Sequence, residues 1–169
     1  MIETNRLILK PLTYNQLLKY ARCDHSLESE LNLKQNTRVI SPELMEALEQ
    51  TILPNVADET KNYLYSTLWT AILKSEYIMI GDACIVGEPN SLGEIEIGYG
   101  TYDEFQNKGY MTEIVGGIIE WAKMQTEVKS IIATTEKSNK ASSKVLEKND
   151  FQMIDESASS NKWQRILQQ

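Results

Sequence analysis

The chain has 169 residues, 41% of them hydrophobic and 24% charged, which suits one globular domain with a sizeable core. Its formal net charge of −7 argues against general binding to nucleic-acid phosphates, which needs clustered Lys and Arg, and is compatible with a cationic substrate. Cys23 and Cys84 match no metal-ligand or redox spacing, and no apolar run approaches the ~20 residues of a membrane span. The expectation is therefore a cytoplasmic protein with reduced thiols, no metal, and neither a membrane nor a nucleic acid as partner.

Leu7 to Leu9 reads as a first strand stopped by Pro11, and Thr13 stands where a helix N-cap would, ahead of Leu17, Leu18 and Ala21. The polar stretch 27–39 reads as loop plus a short helix. Ser41, Pro42 and Glu43 open a further helix with Leu44, Ala47 and Leu48 on its apolar stripe, and Pro54 is expected to end it. Residues 63–73 are rich in aromatic and β-branched side chains and read as a strand. After a turn at 74–76, the next strand runs from Tyr77 through Val86, and after a turn at 88–91 another spans 93–102. These three strands read as an antiparallel meander.

Met111, Ile114, Val115, Ile118 and Ala122 recur on one face of a helix, with Trp121 beside them. A short strand follows over 128–134. A helix over 139–149 has Ala141, Ser142, Val145 and Leu146 on its inner side. Two closing strands span 151–154 and 163–167. The order is β-α-α-β-β-β-α-β-α-β-β, a mixed α+β domain over residues 1–169 without repeat or linker.

The densest chemical signal lies between Glu94 and Glu113. It reads as a strand carrying Glu94 and Glu96 on one face, a glycine-containing loop over 106–111, and a helix start. Amides at a helix start lack intrahelical partners, and Gly109 lets the backbone approach an anion. Lys108 adds a cation at the rim. A phosphate cradle and candidate bases in one segment suggest a group-transfer enzyme with a nucleotide-like donor. Solvent exposure of the carboxylate face and a plain turn at Gly109 are the competing readings of the same residues.

Several ordered motifs carry a resemblance. Thr4 to Leu12, Glu96-Ile97-Gly98-Tyr99, Gln106 with Gly109, Gly109 to Glu113, Asn139 to Ser142, and Val145 to Lys148 followed by Phe151 stand at the spacing of one family. The sequence resembles GNAT-superfamily acyltransferases, and within them the ribosomal-protein-type N-acetyltransferases (RimJ/RimL-like). Met111 replaces the small residue that usually closes the donor loop, Asp150 replaces a Gly, and Leu146 stands where many members carry a Tyr.

The resemblance implies a GNAT-like, mostly antiparallel central sheet with helices on both faces. It implies an N-acetyltransferase that moves an acetyl group from acetyl-CoA to a primary amine, a protein α-amine or a small molecule, by direct attack in a ternary complex. A non-catalytic acyl-CoA sensor or an interaction module on the same scaffold is the alternative. The roles carried over are catalytic for Glu96, as base, and for Ser142, near the leaving thiolate. Donor contacts fall to Gly98, Tyr99, Gln106, Asn107, Lys108, Gly109, Tyr110, Met111, Asn139 and Ser142. A homodimer is implied by resemblance alone.

Overall fold

The computed structural model describes residues 1–167. Eight strands form one sheet: β1 (Ile2–Glu3), β2 (Leu7–Pro11), β3 (Leu68–Leu73), β4 (Ile78–Ile85), β5 (Glu94–Thr101), β6 (Ser130–Glu136), β7 (Gln152–Glu156) and β8 (Ser160–Ile166). Their spatial order is β1-β2-β3-β4-β5-β6-β8-β7. Every neighbouring pair is antiparallel except β5 with β6, which run parallel. The helices are α1 (Tyr14–Arg22), α2 (Ser26–Glu30), α3 (Pro42–Ala47), α4 (Leu53–Ala57), α5 (Tyr110–Lys123) and α6 (Lys140–Lys148).

The sheet is covered on both faces, as the expected α+β architecture requires. Ile114, Val115 and Ile118 of α5 and Leu146 of α6 pack with Ile95 and Ile97 in one apolar cluster. Leu17 and Tyr20 of α1, with Leu27 and Leu48, pack against Leu68, Ile72 and Met79 in the other. Helix α5 packs on β2 at Gly117. A Cβ added there would stand 2.6 Å from Leu9 Cδ1, so a larger residue would have to displace the Leu9 side chain.

Local sequence chemistry explains most boundaries. Thr13 caps α1 in a reciprocal capping box with Gln16, and Ser41 caps α3 with Pro42 in its first turn. Helix α6 ends in a Schellman arrangement: Phe151 N–H donates to Leu146 O and Asp150 N–H to Glu147 O. Asp150 adopts the left-handed conformation there (φ 56°), which Asp tolerates better than most residues.

Several local features differ from expectation. Pro11 belongs to β2, opposite Trp69; β1 has ended by then, so the missing N–H falls on an open edge. Pro54 does not end its helix. A π-helical stretch, Leu48–Ile52, continues from α3 and runs directly into α4, so the helical run passes through Pro54. Residues 63–65 are a 3-10 turn capped by Asn62, and the strand begins only at Leu68. Tyr65 instead packs edge-on against Trp121, 5.1 Å between centroids. Ala141, expected on the inner side of α6, is exposed.

Candidate active site

The parallel ladder between β5 and β6 ends early. Its partners are Glu94 with Ser130, Ile95 with Ile131 and Glu96 with Ile132. Beyond them β5 continues to Thr101, paired only with β4, while β6 runs on beside β8. The two strands splay apart, and the β6-facing backbone groups after Glu96 have no strand partner. Such groups need other acceptors and donors.

A cavity of about 460 Å³ opens beside this splay. The end of β5, the loop before α5, the first turn of α5 and one side of α6 line it. Gly109 takes a left-handed conformation (φ 77°) directly before α5, and a Cβ there would meet only the Arg6 guanidinium, at 3.7 Å. The first N–H groups of α5 therefore border the cavity without an intervening side chain. Lys144 and Lys148 contribute to the lining and no Asp or Glu does. A helix start plus lysines suits an anionic, phosphate-bearing ligand.

The loop is tied down from behind. Glu113, in the first turn of α5, accepts from the Thr4 hydroxyl (2.6 Å), the Arg6 N–H (2.7 Å) and Arg6 Nε (2.7 Å). Arg6 also donates to Lys108 O (3.2 Å) and lies over the Tyr110 ring, 4.4 Å from its centroid.

On the other side of Tyr99 lies a second cavity, of about 610 Å³. Tyr99, Gly100, Thr101 and Phe105 line both. The Tyr99 hydroxyl is 2.9 Å from Ser142 Oγ, so a hydroxyl pair stands where the cavities meet. Burial pushes the Tyr99 phenol up, with the Ser142 contact working the other way, and a neutral phenol can donate a proton at ordinary pH.

Gly98 and Gly100 form part of the floor of this second cavity, across from Cys84 and Asp82 in the β4–β5 register. Asp82 is buried, and its Oδ2 accepts from the hydroxyls of Tyr20 (2.7 Å) and Tyr102 (2.8 Å). Burial pushes its carboxyl up, while those two hydroxyls and the charge of Arg38 work against the shift. Burial likewise raises the Cys84 thiol, helped by the charges of Asp82 and Glu96, so it is a poor nucleophile near neutral pH. Among the described residues no group of three or more His, Cys, Asp or Glu side chains could hold a metal ion.

The sequence matches the family described as acetyltransferase (GNAT) domain over residues 6–152. The chain belongs to the GNAT acetyltransferase family. It is 30% identical over 166 residues to an uncharacterized N-acetyltransferase, YjdG, of Bacillus subtilis (strain 168), covering 96% of each protein. Among solved structures, a GNAT-family acetyltransferase from Bacillus anthracis superposes with a TM-score of 0.66 at 18% identity, covering 98% of this chain and 97% of that one. A ribosomal-protein-S5-alanine acetyltransferase from Vibrio fischeri gives 0.67 at 18%, with 97% and 94% covered. At these identities the structural likeness is one of fold.

Within this GNAT domain, most residues singled out from sequence come together around Tyr99. Gln106, Asn107, Gly109, Tyr110, Met111, Asn139 and Ser142 line the first cavity, Gly98 lines the second, and Tyr99 lines both. The Gln106 side chain turns back to Asp103 (3.0 Å), and Asn139 caps α6 by accepting from Ser142 N–H (3.0 Å). Lys108 lines neither cavity; its ammonium stands 5.3 Å from the Phe105 ring centre. Glu96 lines neither as well. It is exposed, accepts from the Thr134 hydroxyl (3.2 Å), and stands one strand repeat from Gly98 on the same face. Glu94 is bonded to Gln164 (3.1 Å) and Asn90 (2.9 Å).

Asp82 was not among the residues drawn from sequence. Its available signal was a lone acid inside the apolar strand β4, beside Gly81. A charge there needs buried partners, but Tyr20 and Tyr102 are distant in sequence and no local pattern points to them.

Proposed function

We propose that residues 1–169 act as one acyl-CoA N-acyltransferase domain that transfers the acetyl group of acetyl-CoA to a primary amine in a ternary complex. The carrying observation is that two cavities of opposite character meet at Tyr99. The one beside α5 has lysines and no acids. The other has Glu43, Asp82, Asp103 and Glu104 and no Lys, Arg or His. The first suits the phosphates of an acyl-CoA, the second an amine.

In this reading the splayed end of β5 orients the thioester with its free backbone groups. The amine nitrogen bonds to the carbonyl carbon as the carbon–sulfur bond breaks. The departing thiolate takes a proton from Ser142 Oγ as Ser142 takes one from the Tyr99 hydroxyl, 2.9 Å away, and solvent returns a proton to Tyr99. The proton lost by the amine passes through water to Glu96, at the rim of the acceptor floor. The raised thiol of Cys84 supports direct attack over an acyl-enzyme.

Structural relatives are named for ribosomal-protein acetylation, so a peptide α-amine belongs beside small amines as a candidate acceptor. A cytoplasmic location, on the composition of the chain, and a homodimer, on the sequence resemblance, are further parts of the proposal. The test is thiol release from acetyl-CoA across a panel of alkylamines and short peptides, for the parent protein and Ser142→Ala. Amine-dependent release that falls at least about tenfold in the variant is expected, a typical effect of one catalytic proton-transfer group. No release with any amine, or unchanged turnover in Ser142→Ala, would reject the reading or the role of Ser142 respectively.

A further inference from the structure

One wall of the second cavity is a stretch with little structure of its own. Residues 33–41 lie in neither helix nor strand, and Thr37, Val39 and Ser41 line this cavity. Lys34 N–H donates to Tyr77 O (2.7 Å), but among the described residues 35–40 make no backbone–backbone hydrogen bond. Asn36 Nδ2 donates to Met79 O (2.6 Å), Ile40 is partly packed, and Val39 is 85% exposed. Ordering such a segment costs conformational entropy that these few contacts hardly offset.

Arg38 is the one buried residue of the stretch. Its Nη1 donates to Glu28 Oε1 (2.9 Å) and its Nη2 to Tyr20 O (3.1 Å), and the guanidinium lies over the Tyr20 ring, 4.4 Å from the centroid. The side chains of Arg38 and Glu28 are only 2% and 1% exposed. A buried ion pair contributes little net stability, because desolvation offsets most of its attraction. Arg38 Nε and Glu28 Oε2 are moreover buried without a partner among the described residues, which weakens the pair further. What the pair fixes is geometry. The planar guanidinium ties the wall to α1 and α2 at once. The same Tyr20 carries its hydroxyl to Asp82, so one side chain joins the wall of the cavity to its floor.

We propose that Arg38 is a positioning residue for acetyl transfer: it fixes the 33–41 wall against Tyr20 and Asp82 and so sets the shape in which the acceptor is bound. This rests on the reading of the second cavity as the acceptor side.

Two variants test it. Arg38→Lys keeps a charge for Glu28 but cannot also span to Tyr20 O, and Arg38→Gln/Glu28→Gln leaves no buried charge behind. Limited digestion with a Lys-specific protease, read by mass spectrometry, follows the wall without turnover. Cutting after Lys34 should be at least about tenfold faster in the double variant, with cutting after Lys123 in α5 unchanged. For the amine of the panel with the highest kcat/KM, the KM should rise at least about tenfold in the double variant and less in Arg38→Lys, while the KM for acetyl-CoA stays within about twofold. Cutting after Lys34 at the parental rate, or equal rises in both KM values, would overturn the proposal. Thr37→Trp separates it from the cavity reading, because this exposed position lines the same cavity and leaves Arg38 in place. If only Thr37→Trp raises the amine KM, the acceptor cavity stands and the role of Arg38 falls. If neither change raises it, the acceptor reading falls and takes the role of Arg38 with it.

Discussion

Replacing Glu113 with Ala removes a carboxylate that ties the amino-terminal segment to the start of α5. Three donors lose their acceptor: the Thr4 hydroxyl (2.6 Å), the Arg6 N–H (2.7 Å) and Arg6 Nε (2.7 Å). The first two are hydrogen bonds to a charged group, worth roughly 1.5 kcal/mol each. The Arg6 side chain is 40% exposed and rehydrates readily, so its ion pair adds only ~0.5 kcal/mol. The loss is about 3.5 kcal/mol, which lowers Tm by roughly 7–14 °C for a domain of this size.

The pH dependence has a definite sign. Burial pushes the Glu113 carboxyl up, but the bonds from Thr4 and Arg6 outweigh it and hold it below its ordinary value. The stabilisation is therefore complete above the ordinary carboxylate range and is lost as pH falls through the lower folded value. Scanning calorimetry of the parent and Glu113→Ala should show a constant Tm gap between about pH 6 and 8 that narrows below about pH 4. A gap under about 1 °C at pH 7, or one that widened on acidification, would refute this reasoning. Because Arg6 also holds Lys108 O, the variant should raise the KM for acetyl-CoA.

Other substitutions probe separate links. Gly117→Val forces a side chain into Leu9, so its urea midpoint should fall by the equivalent of at least about 1–3 kcal/mol, and an unchanged midpoint would contradict the close packing of α5 on β2. Asp150→Gly relieves a left-handed residue but gives up an exposed contact to Arg165, so stability should stay within about 1 kcal/mol of the parent by urea denaturation. A loss above ~2 kcal/mol there would assign the carboxylate a larger structural part. Tyr99→Phe deletes the hydroxyl beside Ser142 and should lower kcat about tenfold with little change in the KM for acetyl-CoA; an equal kcat would remove Tyr99 from the proton path.

What the sequence revealed follows from how locally each feature is encoded. The stripe from Met111 to Ala122 and the caps at Thr13 and Ser41 are short-range patterns, and all three stand in the fold. The strand expected from 63 misread Tyr65, whose ring is recruited by Trp121 more than fifty residues away, so packing overrode propensity. Pro54 misled because the π-helical stretch before it carries the helical run through it, which one proline cannot foretell. At the site, the donor side was legible because loop and helix start adjoin in sequence. The acceptor side was not. Its floor depends on which face of β5 carries Gly98 and Gly100, and on Tyr20, Asp82 and Tyr102 meeting across three elements.

Direct transfer requires donor and acceptor to occupy their two cavities together. Initial rates measured while acetyl-CoA and an accepted amine are varied against each other test this most directly. Direct attack across Tyr99 predicts intersecting double-reciprocal lines and no acetylated protein when amine is left out. Parallel lines, with an acetyl group trapped on the chain at Cys84 or elsewhere, would contradict it.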